Sequence, residues 1–119
     1  MPYRVELTVR ARRDLERLYL AINAANSELA RVWFNGLEVA VLSLDQNPAR
    51  CPVTPENPGL RHLLFGRKGY VYRVIYAIDE AHGLVTVLHI RHGARRPMQR
   101  RPGAGTTPRP RRRAIRPTG

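Results

Sequence analysis

Tyr70-Val71-Tyr72-Arg73-Val74-Ile75-Tyr76-Ala77-Ile78-Asp79 is a run dominated by β-branched and aromatic residues, without proline or glycine. That composition fits a pleated, packed surface and predicts a strand over 70–79. Successive side chains of a strand point to opposite faces, so Tyr70, Tyr72, Val74, Tyr76 and Ile78 share one face. Val71, Arg73, Ile75, Ala77 and Asp79 share the other. Both faces have apolar content, as expected of a strand with a neighbour on each side. Arg73 is the exception on its face. A cation set among apolar side chains needs a partner or a ligand, and Asp79 or a binding protein are the candidates.

The segments on either side complete a sheet. Gly66-Arg67-Lys68-Gly69 and Glu80-Ala81-His82-Gly83 carry the glycines that tight hairpin turns require. They predict antiparallel partners over 61–65 and 84–91. Further upstream, residues 47–59 hold Pro48, Pro52, Pro55, Pro58 and Gly59 and read as a loop. Before the loop the periodicity is helical. Leu15, Leu18, Tyr19 and Ile22 form one apolar stripe, and Ala30, Trp33, Phe34, Leu37, Val41 and Leu44 form a second. Thr8 is placed to cap the first helix, Asn26 or Ser27 the second, and Pro48 to end it. Tyr3, Val5 and Leu7 alternate with Arg4, Glu6 and Thr8, giving one more half-buried strand. The expected domain is α+β, in the order β-α-α-β-β-β, with a helical hairpin packed on a mostly antiparallel four-stranded sheet.

That domain is expected to occupy residues 1–98. Beyond Met98 the chain is Pro, Gly, Thr and Arg, which buries too little apolar surface to offset its ordering entropy. Residues 99–119 therefore read as a disordered Arg/Pro-rich tail. Of the formal charge of +12, seven arginines lie in residues 100–119 with no acid among them. The remainder keeps fourteen basic residues against nine acidic ones, or +5. Such an excess favours polyanionic partners such as RNA, DNA or an acidic protein, and the tail would attract nucleic acid nonspecifically with steep salt dependence. Lys68 is the only lysine, and arginine binds phosphate but shuttles protons poorly.

Cys51 stands alone, which rules out an internal disulfide and points to a reducing compartment. No apolar stretch is long enough to span a bilayer, and the N-terminus reads as a strand rather than a signal peptide, so a cytoplasmic protein is expected. His89 and His92 have a spacing better suited to metal binding from a helix than from a strand, and Cys51 is isolated, so no metal or other cofactor is expected. No glycine-rich phosphate loop precedes a helix.

Over residues 3–97 the chain resembles the RelE/ParE superfamily of toxins, which includes proteins described as plasmid stabilisation proteins. The resemblance is carried by Asp14-Leu15, by Ala30-x-x-Trp33 with Leu37, by Leu44-x-x-x-Pro48, and by Pro55-Glu56 ahead of Arg61. Its strongest parts are Tyr72-Arg73-Val74-Ile75-Tyr76 and the ending His89-Ile90-Arg91-His92-Gly93-Ala94-Arg95-Arg96-Pro97. It implies the toxin of a type II toxin–antitoxin pair with a cognate small acidic antitoxin. It also implies one of two activities: ribosome-dependent cleavage of mRNA, as in RelE and YoeB, or inhibition of DNA gyrase without nuclease activity, as in ParE. A degenerate, toxin-like nucleic-acid-binding factor is a third reading.

Cleavage of RNA without a metal needs a base for the 2′-hydroxyl, cations for the phosphate and an acid for the leaving 5′-oxygen. The likeness to YoeB puts Glu56, Arg73 and His92 in those roles. Arg61, Lys68, Arg91 and Arg95 are expected as substrate-binding residues. RelE relies on a lysine-rich surface, and this chain's single lysine makes the Glu/His arrangement the better template.

Overall fold

At Thr8 the chain passes from a strand into a helix, and one side chain serves both. The computed structural model describes residues 2–67 and 70–93; Lys68, Arg95 and the expected tail at 99–119 lie outside them. Strand β1 (Arg4–Leu7) ends one residue before Thr8, and helix α1 (Val9–Ala21) starts one residue after it. The Thr8 hydroxyl accepts the Ala11 N–H at 3.0 Å, a helix N-cap, and donates to the Leu88 carbonyl at 2.8 Å. Asn23, with φ of 59°, breaks the first helix. Ser27 then caps helix α2 (Glu28–Leu42) by accepting the Ala30 N–H.

The second helix stops at Leu42, well short of the proline expected to end it. A 3-10 turn, Ser43–Asp45, follows, and Pro48 opens another, Pro48–Arg50. The physical reason lies in the terminal carbonyls. Ser43 donates its hydroxyl to Ala40 O, while Arg50 donates to Gln46 O at 2.6 Å and to Ser43 O at 3.3 Å. Side chains thus satisfy one carbonyl of the last helical turn and two of the turn that follows it before the proline is reached.

Strands β2 (Arg61–Phe65), β3 (Tyr72–Asp79) and β4 (Leu84–His92) complete a sheet in the order β1-β4-β3-β2. The β2–β3 and β3–β4 pairs are antiparallel, and β1 runs parallel to β4. The middle strand begins at Tyr72 rather than Tyr70. The backbone turns at Gly66 (φ 112°), and the Tyr70 N–H closes onto the Arg67 carbonyl, leaving the Tyr70 side chain exposed. β4 contains one extra residue: Ile75 pairs with His89 and Tyr76 with Val87, so Leu88 bulges.

The helices cover one face of the sheet. Ala11, Leu18, Phe34, Leu37 and Val41 pack on Val74, Tyr76, Val85, Val87 and Ile90, joined by Leu44 and Cys51. Tyr19 meets Phe34 edge-on, as Trp33 does both Phe65 and Tyr72. No helix among the described residues is long and apolar enough to cross a membrane. The fully buried Tyr76 donates its hydroxyl to the Pro48 carbonyl at 2.5 Å, tying the central strand to the start of the loop. Replacing Tyr76 with Phe leaves that carbonyl unpaired in the core and should destabilise the fold by about 1–3 kcal/mol. The check is a lower urea midpoint at unchanged m-value.

Candidate functional site

The face of the sheet away from the helices carries the charge. His62 and Leu64 of β2, Arg73, Ile75 and Ala77 of β3, and Thr86, His89 and Arg91 of β4 lie on it, and none belongs to the apolar core. Cross-strand register sets two rows: Leu64, Arg73 and Arg91 in one, and His62, Ile75 and His89 in the next. Ile75 is 4% exposed although it lies on this face.

The loop ahead of β2 delivers an acid to this face. It folds back along the outer edge of β2, where Val53 bridges Arg61 and the His62 N–H reaches the Pro52 carbonyl. Thr54, buried, locks the turn by accepting the Asn57 N–H and donating to the Asn57 carbonyl. Glu56, inside that turn, meets Arg73 in a two-bond ion pair. Arg73 Nη2 donates to Oε1 at 2.8 Å and Nη1 to Oε2 at 3.0 Å. The Arg73 side chain is 13% exposed and that of Glu56 62%. Hydrogen bonding from Arg73 pulls the Glu56 carboxyl down to about 2.

Arg73 has a second partner that the sequence reading missed. Its Nε donates to His62 Nδ1 at 3.0 Å, a diagonal contact across the β2–β3 pair. Burial first, then the neighbouring Arg73 charge, lowers the His62 pKa below its ordinary 6.5. The signal was present in the hairpin: pairing Phe65 with Tyr72 places His62 and Arg73 on one face. His89 is lowered as well, by burial and then by Arg10 and Arg91, and its Nδ1 is buried with no partner among the described residues. Gly93 packs against the Arg73 stem, where a Cβ would fall 2.8 Å from Arg73 Cγ.

The expected site residues therefore separate. Glu56 and Arg73 come together, and Arg91 lies directly across from Arg73. The pairing of Arg73 with Asp79 does not occur; Asp79 instead holds His82 Nδ1 at 2.7 Å and caps the β3–β4 turn. Arg61 donates to the Ala49 and Cys51 carbonyls and so clamps the loop rather than facing the cluster. His92 pairs in register with Tyr72, and the rings meet edge-on at 5.0 Å on the helix-covered face, opposite Arg73. An apolar cavity of about 280 Å³, lined by Ile22, Ala30, Trp33, Arg67, Tyr70 and Tyr72, also lies on the helix side. The charged cluster occupies the other face. Among the described residues no group of three or more His, Cys, Asp or Glu is arranged to hold a metal ion.

Fold and site define a small basic α+β protein with one helix-covered sheet face and one face centred on a paired arginine. A family model described as the ParE toxin of type II toxin-antitoxin system, parDE, matches residues 5–97. Toxin RelG of Mycobacterium tuberculosis is 34% identical over 96 residues, which covers 79% of this chain and 94% of that protein. Toxin RelE of the same organism is 38% identical over 89 residues, 75% of this chain and 79% of that protein. Among solved structures, the toxin-antitoxin complex RelBE2 from M. tuberculosis superposes with a TM-score of 0.54 at 33% identity, covering 77% of this chain and 99% of that one. The chromosomal ParDE system of P. aeruginosa gives 0.61 at 21% identity, over 75% and 94%, a likeness of fold. The chain belongs to the RelE/ParE superfamily, the toxin components of type II toxin–antitoxin systems.

The depressed pKa values set the acid response. His62 and His89 take up protons more readily unfolded than folded, so stability falls as pH drops below about 6.5. The Glu56 contribution is complete above its ordinary 4.5 and lost as pH falls toward 2. Urea midpoints across pH should show two declines. His62→Asn with His89→Asn should flatten the first and Glu56→Gln the second; an unchanged first decline in the double variant contradicts the assignment.

Proposed function

We propose that this toxin is a ribosome-dependent endoribonuclease that cuts mRNA without a metal, with the RNA backbone seated on the open sheet face. The observation that carries this reading is the cluster of Glu56, Arg73 and His62, with Arg91 across the strand from Arg73. An arginine held in a fixed orientation matches the planar demands of a phosphate. While paired with Arg73, Glu56 is a weak base, since its pKa is about 2. A phosphodiester that takes the guanidinium frees the carboxylate, whose proton affinity then returns toward that of an ordinary glutamate. Glu56 can accept the 2′-hydroxyl proton at that stage, with Arg73 and Arg91 offsetting charge on the phosphate oxygens. In this scheme His92 protonates the leaving 5′-oxygen only once its ring has turned from Tyr72 around the end of β4. Lys68 and Arg95 stay in the proposal as phosphate contacts, and residues 99–119 as a basic extension of the domain.

The natural partner in this reading is a small acidic antitoxin, as the RelBE2 structure is a toxin–antitoxin complex. Leu20, Leu29, Val32 and Val39 are exposed on the helices and supply apolar surface for it, and the chain's net positive charge suits an acidic protein. A ribosomal target places the toxin in the cytoplasm.

The closed Glu56–Arg73 pair also favours a second reading, a ParE-like gyrase inhibitor with no nuclease activity, because a carboxylate so engaged makes a poor base. Induced expression followed by primer extension on cellular mRNA, beside a plasmid-supercoiling assay, separates the two. Cleavage should appear and fall at least 100-fold in Arg73→Ala, in the range seen when a charge-stabilising donor is removed. Intact transcripts with gyrase-linked DNA breaks would overturn the nuclease reading. His92→Ala cutting at the wild-type rate would remove His92 from the mechanism.

A further inference from the structure

The Arg73 guanidinium is held from two sides of unequal depth. A guanidinium has five N–H donors, and three are engaged by the described residues. Nη1 and Nη2 each give one to Glu56, and Nε gives its only one to His62. Glu56 comes from a loop and is mostly exposed, whereas His62 lies within β2 and is partly buried. An anion arriving from solvent therefore competes with Glu56 and leaves the Nε contact in place. The Arg73 stem has little freedom of its own, because Gly93 packs against Cγ with no room for a side chain.

We propose that His62 is a positioning residue for Arg73: its neutral imidazole, protonated on Nε2, accepts the Nε–H and keeps the guanidinium seated when Glu56 is displaced. The inference rests on the reading of Arg73 as the phosphate-binding cation. The tautomer follows from the contact, since an arginine Nε–H can only donate and Nδ1 must then offer its lone pair. Protonation of His62 fills that lone pair and sets a second cation against Arg73. The anchor is thus present only while the ring is neutral.

The surroundings of His62 favour that neutral state. Partial burial, and then Arg73 from β3, oppose its protonation, and Glu56 from the loop favours it. Across β3 in the same row the neighbour is Ile75, and His89 of β4 follows beyond it, about 10 Å away by strand spacing. The helices lie on the opposite face.

The test uses the full-length chain, ¹⁵N-labelled, in long-range ¹H–¹⁵N spectra from pH 8 to pH 5. Expected at pH 8 are a bare Nδ1 and a protonated Nε2 on His62, together with a protected Arg73 Nε–H signal. That signal should disappear as His62 titrates below pH 6.5. His62→Asn, which keeps an acceptor near the Nδ1 position and does not titrate, should preserve it down to pH 5. His62→Leu should abolish it at every pH. In ribosome-programmed mRNA cleavage, His62→Leu should lower kcat about tenfold or more with KM within about twofold, as misplacing a catalytic group does. His62→Asn should restore the rate and remove the acid limb of the pH profile. An Arg73 Nε–H signal that is the same in His62→Leu as in the wild type overturns the proposal, as does Asn performing no better than Leu. If the wild-type chain cuts no mRNA, the nuclease reading fails, and the spectra still decide the role of His62.

Discussion

A guanidinium at 13% exposure in the middle of a sheet cannot go unpaired, and much of this structure serves that requirement. Arg73 stands on the central strand, two residues from Ile75, so its neighbours are fixed by the sheet register. The sheet supplies His62, and the loop supplies Glu56. For Glu56 to arrive, the proline-rich segment has to double back along β2. The contacts of Val53, Thr54 and Arg61 hold it there. The loop is thus ordered by the strand it precedes, and its acid is placed by the charge it neutralises.

The helix-covered face follows a separate logic. There the sheet offers Val74, Tyr76, Val85, Val87 and Ile90, and the helical hairpin covers them with two apolar stripes. Burial of such side chains contributes roughly 1.5–3 kcal/mol each, which far exceeds what an exposed ion pair can add. The bulge at Leu88 lies where β4 outruns the parallel partner β1. Beyond that point α1 takes over the strand's edge: Thr8 binds the Leu88 carbonyl, and the Asp14 carboxylate accepts the Ile90 N–H at 2.9 Å. The cap of α1 and one carboxylate within it therefore protect an edge that would otherwise be open to pairing.

With stability drawn from one face, the other can hold charge. His62, Arg73, His89 and Arg91 lie there without weakening the core, and Glu56 pairs with the largely buried Arg73. In the proposed mechanism this arrangement keeps the acid and the cation bound to each other until an anion competes for the cation. It also means that the state of the face depends on the protonation of imidazoles that burial keeps neutral.

The element order, the Thr8 cap and the strand Arg61–Phe65 were legible in the residues, and the second cap was narrowed to Asn26 or Ser27, because periodicity and capping are local. So was the odd position of Arg73, since one cation among apolar neighbours stands out in any strand. The family was carried by the Tyr72 to Tyr76 and His89 to Pro97 phrases, and the comparisons agree with it. What the linear pattern left open is decided by tertiary structure. His92 falls opposite Arg73 because strand neighbours alternate faces and its register partner is Tyr72. Arg61 turns into the loop, where it donates to the Ala49 and Cys51 carbonyls. Glu56 takes the place expected of Asp79 because the loop returns across the sheet, whereas Asp79 is engaged by its own turn. His62 joins the site only through the pairing of β2 with β3. Each of these depends on register and on a long-range chain reversal, and neither is encoded in the spacing of residues along one segment.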